Sequence, residues 1–238
     1  MLTEPVLQVA LDFMHLKRAL QAAEEAVQGG ADWIEAGTPL IKSEGVEAVR
    51  ALKRAFPDRV IVADLKIMDT GAYEVEIAAK AGAEVISVMV VTDDATVLEA
   101  VKAARRYGAK VMGDLMAVGG KTKRAKEVEA LGVDYLCHHV SIDEQMIART
   151  PLRELRALAE AVNIPIAVAG GLNTETIPQA LEAGASIIIV GGAIIKEPRV
   201  AQAAADIKQA MRERKALRTQ LYKKYGQEEL YQAFAQVS

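Results

Sequence analysis

Three charged side chains fall within the twelve-residue stretch Val60–Gly71, V-I-V-A-D-L-K-I-M-D-T-G: Asp64, Lys66 and Asp69. The stretch opens as a buried strand, because Val60, Ile61, Val62 and Ala63 form an apolar run too short for a helix. Asp64 and Lys66 are two apart, so on a strand they project to one side. Asp69 lies past the strand end, in a turn closed by Thr70-Gly71. An exposed ion pair contributes little to stability. A cation held between carboxylates suits chemistry that moves protons and stabilises an anion. The competing reading is a solvated loop that happens to be charged, so the surrounding elements must decide.

Composition narrows those surroundings. The 238 residues are 51% hydrophobic and only 4% aromatic, which suits helices packed on parallel strands of Val, Ile, Leu and Ala. The length fits one α/β barrel, commonly about 250 residues, or two small domains. No apolar run approaches the ~20 residues of a membrane span, and the start, M-L-T-E-P, carries no secretory pattern. Cys137 is the single cysteine, so neither an intrachain disulfide nor a Cys cluster for zinc is expected. A net charge of −3 gives no footprint for nucleic acid. The expectation is a soluble cytoplasmic protein without membrane or nucleic-acid partners.

One pattern recurs: an amphipathic helix, a Gly, one or two small or charged residues, then an apolar strand. It appears at Gly30, Gly82, Gly108, Gly132 and Gly184. The intervals are one or two units of about 26 residues, the size of a βα module, and imply a parallel sheet with right-handed crossovers. Eight strands are predicted: Val6–Asp12, Trp33–Gly37, Val60–Lys66, Val85–Val90, Lys110–Met116, Tyr135–Val140, Ile164–Gly170 and Ile187–Gly191. Predicted helices fill the gaps at Met14–Gln28, Glu44–Ala55, Tyr73–Lys80, Asp94–Tyr107, Lys121–Leu131, Leu152–Ala161, Thr174–Ala183 and Val200–Arg214, with Ser43, Asp93 and Asn173 as caps. A doubly wound sheet would carry G-x-G-x-x-G in its first βα turn, where this chain has Asp12-Phe-Met-His. The spacing therefore predicts a (β/α)8 TIM barrel over residues 1–215, followed by a short helical extension over 216–238.

Barrel enzymes build their sites at the C-terminal strand ends. Collecting those ends brings Asp12, Glu35, Thr38, Asp64, Lys66, Asp69, Asp114 and His139 to one face. Glu35 and Asp64 on neighbouring strands offer oxygens to a hard cation such as Mg²⁺; alternatively they pair with Lys66 or Lys42 and bind no metal. His139 is the best general acid or base, since imidazole titrates near neutrality. His138 should point the opposite way, between barrel and helices, and His15 should lie on the surface. Cys137 shares the side of His139 and is read as structural. Gly170-Gly171 and Gly191-Gly192 follow strands seven and eight, the usual place for a phosphate in such barrels.

A-D-L-K-I-M-D-T-G resembles the D-x-K-x-x-D signature of the orotidine 5′-monophosphate decarboxylase suprafamily. L-Q-V-A-L-D, W-I-E-A-G-T-P-L-I-K-S-E-G, H-V-S-I-D-E-Q, V-A-G-G-L-N and I-V-G-G-A-I-I are similar to its 3-hexulose-6-phosphate synthase branch, over about Leu7 to Arg199. The sister branch, 3-keto-L-gulonate 6-phosphate decarboxylase, usually has Arg in place of Ile142 and a phosphate-contacting Arg at Gly192. Leu115-Met-Ala-Val-Gly-Gly and Ile195 depart from the usual pattern.

The resemblance implies an aldehyde-lyase: Mg²⁺-dependent, reversible aldol addition of formaldehyde to D-ribulose 5-phosphate, with Mn²⁺ as a substitute ion. It assigns the metal to Glu35 and Asp64, the C1 proton to His139 with Asp69, and the 1,2-enediolate to Lys66. Asp12, Thr38 and Asp114 would orient substrate and Lys66, and Gly170, Gly171, Gly191 and Gly192 would hold the phosphate. It further implies a homodimer with shared active sites, Asp69 entering the neighbour's. The alternatives are the sister decarboxylation and, from another class, a silent barrel acting as a binding module. The tail L-Y-K-K-Y-G-Q-E-E-L-Y-Q-A-F-A-Q-V-S resembles the join at which some relatives continue into a second domain, which implies either the front half of a fusion or descent from one.

Overall fold

Eight short, largely buried strands alternate with helices that bury one face, and this pattern closes on itself. In the computed structural model, which describes residues 2–141, 143 and 152–217, all eight strands are parallel and form a closed barrel in sequence order. They are β1 (Val6–Leu11), β2 (Trp33–Ala36), β3 (Val60–Ile67), β4 (Val85–Met89), β5 (Lys110–Asp114), β6 (Tyr135–His139), β7 (Ile166–Ala169) and β8 (Ile187–Val190). β8 returns to β1 with Val6 opposite Ile187. The barrel class expected from the spacing therefore holds.

The helices are α1 (Leu16–Gln28), α2 (Thr38–Glu44), α3 (Glu47–Ala55), α4 (Gly71–Lys80), α5 (Asp94–Tyr107), α6 (Lys121–Leu131), α7 (Leu152–Ala159), α8 (Ile177–Glu182), α9 (Gly192–Ile195) and α10 (Val200–Glu213). Strand alternation sorts the core into two bodies. Leu7, Val9 and Leu11 point outward and pack under the helices, while Val6, Ala10, Val62, Met112 and Ile187 fill the barrel interior. The interior is apolar at its base and turns polar toward the C-terminal ends, so a charged pocket rests on a packed plug.

Three local expectations change. The helix predicted over Glu44–Ala55 is present as α3, starting at Glu47, but an unpredicted helix, α2, precedes it: Pro39 is accepted in its first turn and Gly45, at φ +69, ends it. Ser43 is consequently not a cap; it lies inside α2 and donates to the Met14 carbonyl at 2.6 Å. Asn173 does not open a helix at Thr174. Its Oδ1 accepts from the N–H groups of Glu175 (2.9 Å) and Thr176 (3.1 Å), and this turn delays α8 to Ile177. Asp93 caps α5 as expected, accepting from Thr96 N–H at 2.9 Å.

Most of the tail expected to form a helical extension, and Ile142, lie outside the described residues. Leu217 lies beside Thr174, whose Oγ1 donates to its carbonyl at 2.8 Å. Among the described residues no helix is long and apolar enough to cross a membrane.

Candidate active site

The C-terminal strand ends surround a cavity of about 590 Å³, and Asp12, Glu35, Thr38, Asp64, Lys66, Asp114 and His139 all line it. The structure therefore brings together seven of the eight side chains expected at this face. Asp69 is the exception: it is exposed, lines no part of this cavity, and accepts from the N–H of Thr70 at 2.7 Å.

β3 supplies the central pair through a distortion. Its register with β4 slips between Ala63 and Ile67, and Lys66 takes φ +50, a left-handed conformation uncommon outside glycine. Such irregularities re-aim side chains. Here the Lys66 N–H is turned onto Ser87 Oγ at 2.9 Å, while Nζ reaches Asp64 Oδ2 at 2.8 Å and Oδ1 at 3.1 Å. Ser87 Oγ in turn donates to Asp64 Oδ1 at 2.8 Å. Thr38 Oγ1 lies 2.7 Å from both the carbonyl oxygen and Oδ2 of Asp64. Both Asp64 oxygens thus accept from a hydroxyl and from the ammonium. Half of the metal-free alternative is realised, since Asp64 pairs with Lys66.

Lys66 also lies 3.6 Å from Asp114 Oδ2, and that oxygen is 2.8 Å from His139 Nδ1. Burial pushes the Asp114 carboxyl up, but the His139 contact and charge and the Lys66 charge outweigh it, holding the group below its ordinary 3.8. An ionised carboxylate only accepts, so Nδ1 of His139 is the donor in this contact. Burial pulls the Lys66 ammonium down, yet Asp64 and Asp114 together raise it above its ordinary value, so it stays protonated.

Glu35 is buried in the middle of β2, level with Ala10 and Val62. Burial, then the charges of Asp64 and Asp12, push its carboxyl well above its ordinary 4.5. Gln8 Nε2 donates to its Oε2 at 2.6 Å, while Gln8 Oε1 is buried with no hydrogen-bond partner among the described residues. Asp12 is raised by its setting in the pocket wall and by Asp64. Its carboxylate fits because two neighbours lack side chains: a Cβ on Gly37 would come within 2.2 Å of Oδ1, and one on Gly191 within 3.2 Å of Oδ2.

Across the cavity, Gly170 and Gly171 take φ +112 and +65 after β7, and Gly191-Gly192 open the four-residue α9 after β8. The long side chain of Lys196 lies over Gly192, about 3.6 Å from where its Cβ would stand. His138 is buried and does not line the cavity, and His15 is exposed, both as expected. Cys137 does line it, and burial followed by the Asp114 charge pushes its thiol well up.

Gln8, Ser87 and Lys196 escaped the reading of the sequence. The first two were signalled by a polar residue at an inward position of an otherwise apolar strand. Lys196 had no such signal, because its position depends on the turn made by α9.

A sequence profile of the orotidine 5′-phosphate decarboxylase / HUMPS family matches residues 5–207. The chain belongs to that family. It is 40% identical over 204 residues to the 3-hexulose-6-phosphate synthase of Bacillus subtilis (strain 168), covering 85% of this chain and 97% of that one. A crystal structure of 3-hexulose-6-phosphate synthase, 41% identical, superposes with a TM-score of 0.83 over 87% of this chain and 99% of that one. KGPDC from Streptococcus mutans in complex with D-R5P is 28% identical with a TM-score of 0.82, over 88% of this chain and 98% of that one. The family membership and the enzyme class expected from the motifs, a lyase of the hexulose-phosphate synthase type, both stand on these likenesses.

Proposed function

We propose that this chain joins formaldehyde to D-ribulose 5-phosphate in a reversible aldol reaction, giving D-arabino-hex-3-ulose 6-phosphate. The observation that carries the reading is the unbroken chain Asp64–Lys66–Asp114–His139, with contacts of 2.8, 3.6 and 2.8 Å. It sets a fixed positive charge beside an imidazole whose Nδ1 is engaged by Asp114, which leaves Nε2 as the ring nitrogen to exchange a proton with substrate. Removing the C1 proton of a ketose phosphate creates an enediolate. Charge that develops only during reaction is best met by a preorganised cation, and Lys66 is such a group. His139 takes the proton, Asp114 steadies the imidazolium, and the enediolate carbon adds to formaldehyde. Asp12 and Thr38 border the same space and orient the sugar hydroxyls. The four glycines, with Lys196, receive the phosphate.

The donor set also fits a hard divalent cation. Burial, then the charges of Asp64 and Asp12, raise the Glu35 carboxyl, and oxygen ligands of this kind suit Mg²⁺, with Mn²⁺ as a substitute. Glu35 and Asp64 would hold it, and it would supply Lewis-acid polarisation of the ketose carbonyl.

Asp69 acts in this reading from a second copy of the chain. Its loop is flanked by exposed apolar side chains, Met68 at 50% and Tyr73 at 68%, with Ile77, Val91 and Leu98 nearby on α4, the β4–α5 loop and α5. Contiguous exposed apolar surface favours association. The barrel, residues 1–215, is the catalytic unit of this reading and the following residues are an extension to it.

Incubation with D-ribulose 5-phosphate, formaldehyde and Mg²⁺ tests the reading. Formaldehyde should disappear in step with hexulose phosphate, and no consumption at any metal concentration overturns it. The likeness to KGPDC favours one second reading, decarboxylation of 3-keto-L-gulonate 6-phosphate, which the same assay with that substrate separates.

A further inference from the structure

Cys137 faces the pocket, yet nothing in the proposed reaction uses it. It stands on β6 directly opposite Asp114 of β5, and two residues before His139, so all three side chains enter the barrel at neighbouring levels. One ligand atom from each lies within 4.8 Å of the other two. Thiolate, imidazole and carboxylate form a mixed donor set that Mg²⁺ does not favour and Zn²⁺ does. Zn²⁺ bonds of about 2.0 Å to N or O and about 2.3 Å to S place these tetrahedral ligands roughly 3.3–3.5 Å apart. Asp114 Oδ2 and His139 Nδ1, 2.8 Å apart, need to open by roughly 0.5 Å, and Cys137 Sγ to close by up to about 1 Å, both within reach of side-chain rotation on fixed strands.

We propose that Asp114, Cys137 and His139 form a Zn²⁺ site, separate from the Glu35–Asp64 pair, whose occupation inhibits the enzyme. On binding, the Cys137 thiol gives its proton to solvent and its sulfur bonds the ion, with no change of oxidation state. One Asp114 oxygen and one ring nitrogen of His139 complete the protein ligands, and water takes the open position. Whichever ring nitrogen binds, Nε2 is lost as a base: it is either a ligand or the bearer of the displaced ring proton. Lys66, 3.6 Å from Asp114, opposes the ion, but its 2.8 Å contact to Asp64 gives it another partner. The inhibition rests on the role given to His139 above; the binding does not.

The two are tested apart. Zn²⁺ is titrated calorimetrically into the metal-free full-length protein, its Cys137→Ser and Cys137→Ala variants, and Glu35→Gln, each shown folded by circular dichroism. Wild type should bind one ion per chain at this site. Both Cys137 variants should lose affinity by at least about 100-fold, and Glu35→Gln should stay within a few-fold. Co²⁺ in place of Zn²⁺ should give a thiolate-to-metal charge-transfer band in wild type and none in Cys137→Ala. With Mg²⁺ and substrates, wild type should be inhibited by stoichiometric Zn²⁺ and recover on chelation, while Cys137→Ala stays active and resistant. Unchanged Zn²⁺ affinity in both Cys137 variants, or no charge-transfer band in wild type, overturns the proposal. If neither protein shows synthase activity while the affinity and spectral differences appear, the reaction assignment fails and the metal site stands.

Discussion

The end of β3 carries Asp64 and Lys66, held by Thr38 and Ser87, whereas the ends of β7 and β8 carry four glycines and no ionisable side chain. Both regions border one cavity. On the β3 side the groups are oriented by side chains on three strands and a helix, and by a distorted backbone. On the glycine side the backbone itself is the surface offered to a ligand. The difference matches two tasks. A developing charge needs a cation fixed at one point, while a phosphate monoester, with up to two charges spread over three terminal oxygens, needs several N–H donors in a shell. A bound phosphate is present before and after reaction, so its holders should affect affinity, and the β3 groups should affect turnover.

The largest effect should come from Lys66→Ala. Loss of the preorganised cation predicts a fall in kcat on the order of 10³-fold with a small change in KM, measured by steady-state kinetics in the aldol assay. Comparable damage to KM alone would erase the division between the two regions. Gly171→Val, placing a β-branched residue at φ +65, should raise KM for the ketose phosphate by roughly 10- to 100-fold and leave kcat within several-fold. Lys196→Ala should do the same more weakly. A rise in KM of about 3- to 10-fold that shrinks with added salt marks an exposed charge acting on the phosphate; a salt-independent rise would remove Lys196 from that role.

Asp114 sharpens the comparison through pH rather than rate. Its folded value lies below its ordinary 3.8, so the native state binds its proton less readily than the unfolded chain. Its contribution to stability is present above that ordinary value and lost as pH falls through the folded one. Asp114→Asn should therefore flatten the acid limb of a denaturation curve below about pH 4. An unchanged acid limb would mean that the contact with His139 does not hold the carboxylate ionised.

Much of this site was legible in the chain because barrel strands follow a two-residue alternation. Gly30, Gly82, Gly108, Gly132 and Gly184 all take positive φ at helix ends, and the strand ends deliver Asp12, Glu35, Asp114 and His139 as that alternation predicts. Lys66 shows the limit of the rule. Alternation put Asp64 and Lys66 on one side and they do meet, but across a register slip and a left-handed residue that alternation does not contain. Gln8 and Ser87 were missed for another reason. A lone polar residue in an apolar strand looks like a blemish until the carboxylate it supports, from a strand distant in sequence, lies beside it. α2 was missed because it is a single short helix of seven residues directly after β2, opened by Pro39 in its first turn and closed by Gly45.

The left-handed backbone at Lys66 bears on how this protein would respond to engineering. A non-glycine residue there sits in a conformation that costs on the order of 1 kcal/mol, and Thr70, four residues on at φ +45, repeats the expense. Glycine fits that conformation without a Cβ penalty. Lys66→Gly should therefore melt above Lys66→Ala, although both should lose most of their turnover. A selection for thermal endurance alone would drift toward this stretch and discard the enzyme, so libraries built for robustness should keep Asp64 to Thr70 fixed and seek their gains on the outer helices.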